Sequence, residues 1–180
     1  SLDRTFFGSA LFLNRGGGRF EETSDRAGTD TLWPWGVAVG DFDGDGDEDA
    51  FLPSGMGIVY AYWRSPLLVN RGDGTFFDAA AAAGLDPLPG GNLVAAGPGG
   101  TPWTRSLRAA AVADLDGDGR LDLVANPFND RAFLWWNRSP TTPWVGFRLT
   151  GTTSNREAIG ATVRVTAGGR TFLRQVHAAG

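Results

Sequence analysis

The sequence predicts an all-β fold in which β-propeller-type blades, too few to close a ring, precede a small β domain. Three observations point to it. An apolar triplet followed by Asn-Arg recurs as Leu11-Phe12-Leu13-Asn14-Arg15, Leu67-Leu68-Val69-Asn70-Arg71 and Leu134-Trp135-Trp136-Asn137-Arg138. An acidic window falls between successive copies, "DFDGDGDEDAF" from Asp41 to Phe51 and "DLDGDGRLDLV" from Asp114 to Val124. The segments around these marks carry small, branched and aromatic residues between Gly-rich turns, with a period of about 60 residues. That pattern belongs to repeated sheets that bury their faces against one another.

Taken in order, "NRGGGRF" and "NRGDGTFF" place a Gly-rich turn after an apolar triplet, which predicts a β-hairpin in each repeat. "WGVAVGDF" and "AAAVADL" lead as strands into the acidic windows. The run Ala79–Ala83 has helical propensity but is short, and reads as one turn before Gly84. Asn14 precedes Asp41 by 27 residues and Asn70 precedes Asp114 by 44. The Gly/Pro-rich stretch from Asp86 to Pro102 accounts for the excess and predicts a surface loop. After Pro143 the pattern changes: "WVGFRLTG" and "ATVRVTAGGRTFLRQV" predict alternating strands around a Gly168-Gly169 turn. The boundaries expected are blades over 1–143 and the beginning of a second β domain over 144–180.

Composition narrows the chemistry. With no cysteine there is no disulfide or thiolate centre, and the single histidine, His177, leaves little for a zinc site or a His-based triad. Of the 20 acidic residues, six lie in the first acidic window and four in the second. The windows carry −6 and −3, so the formal net charge of −4 leaves the remaining chain about +5, too diffuse for a nucleic-acid footprint. No run is long enough for a membrane span, and "SLDRTFFGSALFLN" lacks the plan of a signal peptide.

Asp41, Asp43, Asp45 and Asp49 occupy positions 1, 3, 5 and 9 of a nine-residue loop, with Asp47 at position 7. Asp114, Asp116, Asp118 and Asp122 repeat the spacing, with Arg120 at position 7. Alternate carboxylates on a curled, Gly-bearing backbone point at one centre, and the position-7 carbonyl adds an oxygen whatever side chain it carries, so Asp47 and Arg120 are interchangeable there. Such an all-oxygen cage suits Ca²⁺ better than Mg²⁺, and two sites are expected. An EF-hand is excluded because position 12 is Leu52 or Ala125 in place of a bidentate Glu, and the flanks read as strands. Phe42 and Leu115, at position 2, are expected to turn into the core.

These windows, with "LFLNRGGGRFEETSDRAG" and "LLVNRGDGTFFDAAAAAGL", resemble FG-GAP/VCBS calcium-binding repeats. The tail "WVGFRLTGTTSNREAIGATVRV" resembles the ASPIC/UnbV domain found after such repeats in the cartilage acidic protein-like family. The resemblance implies a secreted or periplasmic calcium-dependent propeller with roles in matrix, adhesion or assembly, and brings no catalytic residues.

The remaining features read conservatively. Arg71-Gly72-Asp73 spells the integrin-recognition tripeptide, yet its parallel copy is Arg15-Gly16-Gly17 and Asx-Gly is ordinary turn chemistry. Trp135 and Trp136, among seven tryptophans, offer either a sugar-stacking face or packing between blades, and packing is the commoner use. Asn137-Arg138-Ser139 matches a glycosylation sequon. Paired aspartates invite a hydrolase reading, but carboxylates converging on a cation stay ionised, whereas acid–base work needs separated pKa values. The expectation is therefore a non-catalytic, calcium-stabilised extracellular or periplasmic module for adhesion or assembly, with a carbohydrate-binding accessory module as the alternative. Its partners would be other chains, further blades of the same protein or glycans, covering the apolar Phe133–Trp136 run. Its recognition surface would lie in loops such as Gly90–Pro102 and in the edge strands.

Overall fold

A computed structural model describes residues 9–55, 64–86, 94–96, 102–104, 106–128, 130–153 and 155–178, with backbone alone at 94–96 and 102–104. Strands β1 (Phe12–Asn14) and β2 (Phe20–Glu22) form the first predicted hairpin, pairing Leu13 with Glu21. A single helical turn, α1 (Ser24–Ala27), follows and is stopped by Gly28 at φ 73°. Sequence reading had no α1, although its counterpart over Ala79–Ala83 is the expected turn, closed by Ala83 N donating to Ala79 O at 2.8 Å.

The first acidic window joins β3 (Ala38–Gly40) to β4 (Asp49–Phe51), and β5 (Leu67–Asn70) and β6 (Phe76–Asp78) complete an antiparallel sheet in the order β3-β4-β5-β6. Leu67, Leu68 and Val69 are all buried, so β5 is covered on both faces and its apolar triplet needs no alternation. In the predicted surface loop, β7 (Val94–Ala96) pairs with β8 (Pro102–Thr104), so that stretch is partly a hairpin; the rest of the Gly90–Pro102 recognition loop lies outside the described residues. The second acidic window joins β9 (Leu107–Ala113) to β10 (Asp122–Pro127), and β11 (Phe133–Trp135) makes the sheet β11-β10-β9.

The two sheets share one core. Phe51, Leu67, Val69, Leu107, Leu123 and Ala125 fill it, with Phe133 and Trp135 packed against them. The Trp135 ring lies 6.3 Å from Phe51 and 5.4 Å from Phe133, tilted to both, which is packing rather than a recognition face. Leu134 and Trp136, alternating with them, stay exposed. Strand β3 lies against β9 at Gly40, where a Cβ would sit 3.6 Å from Val112 Cγ2 of β9 and 2.5 Å from Leu121 Cδ1 in the second acidic loop.

Strands β12 (Thr162–Ala167) and β13 (Arg170–Gln175) form the C-terminal hairpin around Gly168 and Gly169, both at positive φ as a two-residue turn requires. "WVGFRLTG" corrects the expectation for this region, since no strand forms over 141–152. The regular structure is thus almost all β, in several antiparallel sheets, and among the described residues none closes on itself. No described helix is long and apolar enough to cross a membrane.

Candidate metal centre

Each acidic loop is wound by its own first aspartate. Asp41 accepts from Gly44 N at 2.7 Å and Gly46 N at 2.9 Å, and Asp114 accepts from Gly117 N at 2.7 Å and Gly119 N at 2.9 Å. These four glycines sit at φ 78–93°, so the curl that gathers the carboxylates depends on residues able to take positive φ.

The position-9 aspartates close the loops from the other end. Asp49, fully buried, accepts from Phe42 N at 2.9 Å and Asn70 N at 2.8 Å through its two oxygens. Asp122 accepts from Leu115 N at 3.0 Å and Asn137 N at 2.9 Å in the same way. The repeated asparagine is therefore part of the site, a role that its recurrence marked but that sequence reading did not assign. Its side chain also donates back to the acidic segment, Asn70 to Glu48 O and Asn137 to Leu121 O. Asn137 Nδ2 donates to Phe42 O as well, at 2.8 Å, so the sequon's amide is engaged inside the fold.

In the first loop carboxylate oxygens of Asp41, Asp43 and Asp49 lie within 4.8 Å of one another. Two oxygens each at about 2.4 Å from one ion are at most about 4.8 Å apart, so this trio fits a calcium-sized cage. Asp45 and Asp47 are outside the trio: Asp45 accepts from Asp47 N at 2.8 Å, and Asp47 turns outward to Arg170. The second loop gathers Asp114, Asp116 and Asp118, leaving Asp122 on its two amides and Arg120 folded onto Asp118. Burial, with the neighbouring Asp43 and Asp41 charges adding to it, pushes the Asp49 carboxyl up to about 6 against the pull of its two amide donors. Burial also raises Asp43, with Asp45 and Asp41 contributing.

The expectation for position 2 divides. Phe42 is buried in the core, whereas Leu115 is 50% exposed and its inward placement is corrected. Phe42 belongs to the shared core, and its carbonyl accepts from Asn137 and Ser139 of the following repeat. Among the described residues no third repeat stands in that place over Leu115. Leu115→Ala is accordingly expected to change stability by no more than about 0.5 kcal/mol, measured by denaturant unfolding.

The tripeptide turn is self-contained. Asp73 accepts from Thr75 N at 2.9 Å and Thr75 Oγ1 at 2.6 Å, which hold its carboxyl below the ordinary range, and Arg71 lies 5.0 Å over Phe77. His177 is exposed.

Residues 8–52 match the FG-GAP-like repeat, and residues 151–180 match ASPIC and UnbV. The FG-GAP-like match runs from β1 through β4 and contains the whole first acidic loop; the ASPIC and UnbV match contains both strands of the C-terminal hairpin. FG-GAP repeats occur in extracellular adhesion and interaction modules and often bind calcium. No curated protein matches the chain.

Proposed function

We propose that the chain is a calcium-stabilised, non-catalytic scaffold of propeller-type blades that serves protein interaction or assembly in an extracellular or periplasmic setting. Calcium would be held by Asp41, Asp43 and Asp49 in the first loop and by Asp114, Asp116 and Asp118 in the second. The observation that carries this reading is the recurrence of one hydrogen-bonded loop design, each copy drawing three carboxylates to a common point, where an unscreened cluster would repel. The bound ion supplies positive charge that offsets this repulsion and fixes the corner between two strands. A structural role fits better than acid–base chemistry because Asp49 and Asp122 each accept two backbone amides that close their loops.

Calorimetry on chelator-stripped chain is expected to show two calcium sites in the weak range of extracellular modules, about 10⁻⁴–10⁻³ M. Asp43→Ala together with Asp116→Ala abolishes them. No heat of binding, or binding indifferent to both substitutions, would refute the reading. The exposed indoles of Trp33, Trp136 and Trp144 favour a carbohydrate-binding accessory role as the second reading, and quenching of tryptophan fluorescence by glycans would select it.

A further inference from the structure

The two acidic loops differ at position 7, and that residue decides what else each loop holds. In the second loop Arg120 stays within its own repeat: Nε donates to Asn137 O at 2.9 Å, Nη1 to Thr141 Oγ1 at 3.0 Å, and Nη2 pairs with Asp118. The first loop has no internal cation, and its guanidinium groups come from the C-terminal hairpin. Arg170 Nη2 lies 3.0 Å from both oxygens of Asp47, and Nη1 donates to Asp45 O at 3.0 Å. Arg174 donates to Gly46 O at 3.1 Å, and its Nε lies 3.5 Å from Glu48. Between them Phe172 covers Gly46, where a Cβ would collide with its ring. Residues 170, 172 and 174 share one face of β13 by the two-residue period of a strand, so a single sheet face carries the whole contact.

The groups used by the hairpin are not the converging ones. Asp41, Asp43 and Asp49 draw together, while the hairpin takes the carbonyls of Asp45 and Gly46 and the Asp47 carboxylate. We propose that the first loop is a shared junction, in which a calcium ion and hairpin β12–β13 stabilise each other, so that ion binding fastens the C-terminal segment to the repeats. This rests on the calcium reading above. The window carries −6, which a divalent ion and two arginines bring to −2; as like charges the ion and the arginines do not attract one another, and they support each other by holding the same backbone curl, which Arg170 and Arg174 grip at Asp45 O, Gly46 O and Asp47. Linkage makes the effect reciprocal: whatever the hairpin adds to ion affinity, the ion adds to hairpin docking. The second loop carries Arg120 itself and serves as the internal control.

The test compares the full chain with the Arg170→Ala/Arg174→Ala double variant, by calcium calorimetry and by hydrogen exchange of the β12–β13 amides with and without calcium. In the native chain calcium slows exchange in the hairpin. In the double variant the slowing is lost, and one site weakens at least about fivefold while the other keeps its affinity. Asp47→Ala removes the same ion pair from the loop side, leaves the carboxylate trio intact, and is expected to act in the same direction. Arg164→Ala, on the opposite face of β12, changes neither reading. Two sites of native affinity in both the double variant and Asp47→Ala, or hairpin exchange indifferent to calcium in the native chain, would overturn the junction and leave the calcium reading standing. Absence of calcium binding by the native chain would overturn both.

Discussion

In saturating calcium, Asp49→Ala is expected to cost about 2–6 kcal/mol of stability. The substitution strips the acceptors from Phe42 N and Asn70 N, two amides held at 2.9 and 2.8 Å beside a fully buried carboxylate, and each orphaned donor costs about 1–3 kcal/mol. It also removes one member of the trio that gathers at the first loop, so the ion's contribution falls with it. At about 2–4 °C per kcal/mol for a chain of this size, the melting temperature drops by roughly 5–20 °C. Asp122→Ala, which strands Leu115 N and Asn137 N, acts alike in the second loop. Circular dichroism melts of both variants give the measurement; losses below about 1 kcal/mol in each would show that these carboxylates do not close their loops.

The second large effect is a pH dependence that calcium offsets. Asp49 rises from an ordinary 3.8 to about 6 in the folded chain, chiefly through burial. Between those values the native state holds a proton that the unfolded chain has released. Without calcium, stability therefore falls as pH rises from about 4 to about 6, by about 1.4 kcal/mol per pH unit and some 3 kcal/mol in all, and levels off above. Glu21 and Asp73, held low by Arg15 and by Thr75 respectively, contribute stability that is lost on the acid side of this window. Calcium opposes the trend because it binds the ionised carboxylate: its stabilisation, about 2.7 kcal/mol per site at a hundredfold excess over Kd, grows as pH passes 6 and roughly cancels the loss. Melting curves from pH 4 to 8 with and without calcium should diverge as pH rises. Parallel curves would show that Asp49 does not take part in binding.

The features legible in the sequence were those set by short-range geometry. Spacing 1, 3, 5, 9 with interleaved glycines implies a curled loop, and both loops formed; Gly168-Gly169 between alternating runs implies a two-residue turn, and that formed too. What escaped depends on distant neighbours. Leu115 occupies the position of Phe42 but stays exposed, whereas Phe42 joins the shared core and its carbonyl accepts from Asn137 and Ser139. Trp144 to Leu149 alternates as a strand does, yet no neighbouring strand offers it a ladder among the described residues, and alternation alone supplies none. The asparagines after the second and third apolar triplets, Asn70 and Asn137, were visible as a repeat but mute as to purpose, because their partners are aspartates 21 and 15 residues earlier in the chain.

The bonds from Asn137 and Ser139 to Phe42 O also bear on how the chain is made. They span 95 and 97 residues, so as the polypeptide emerges from the ribosome the first repeat waits, its position-2 carbonyl without these donors, until nearly the whole second repeat has been synthesised. Contacts of such separation form late and slowly, because the intervening loop must be closed before they contribute anything. The vulnerable interval in the life of this protein is therefore its own translation, when Phe42 and the neighbouring core residues are present but their cover is not.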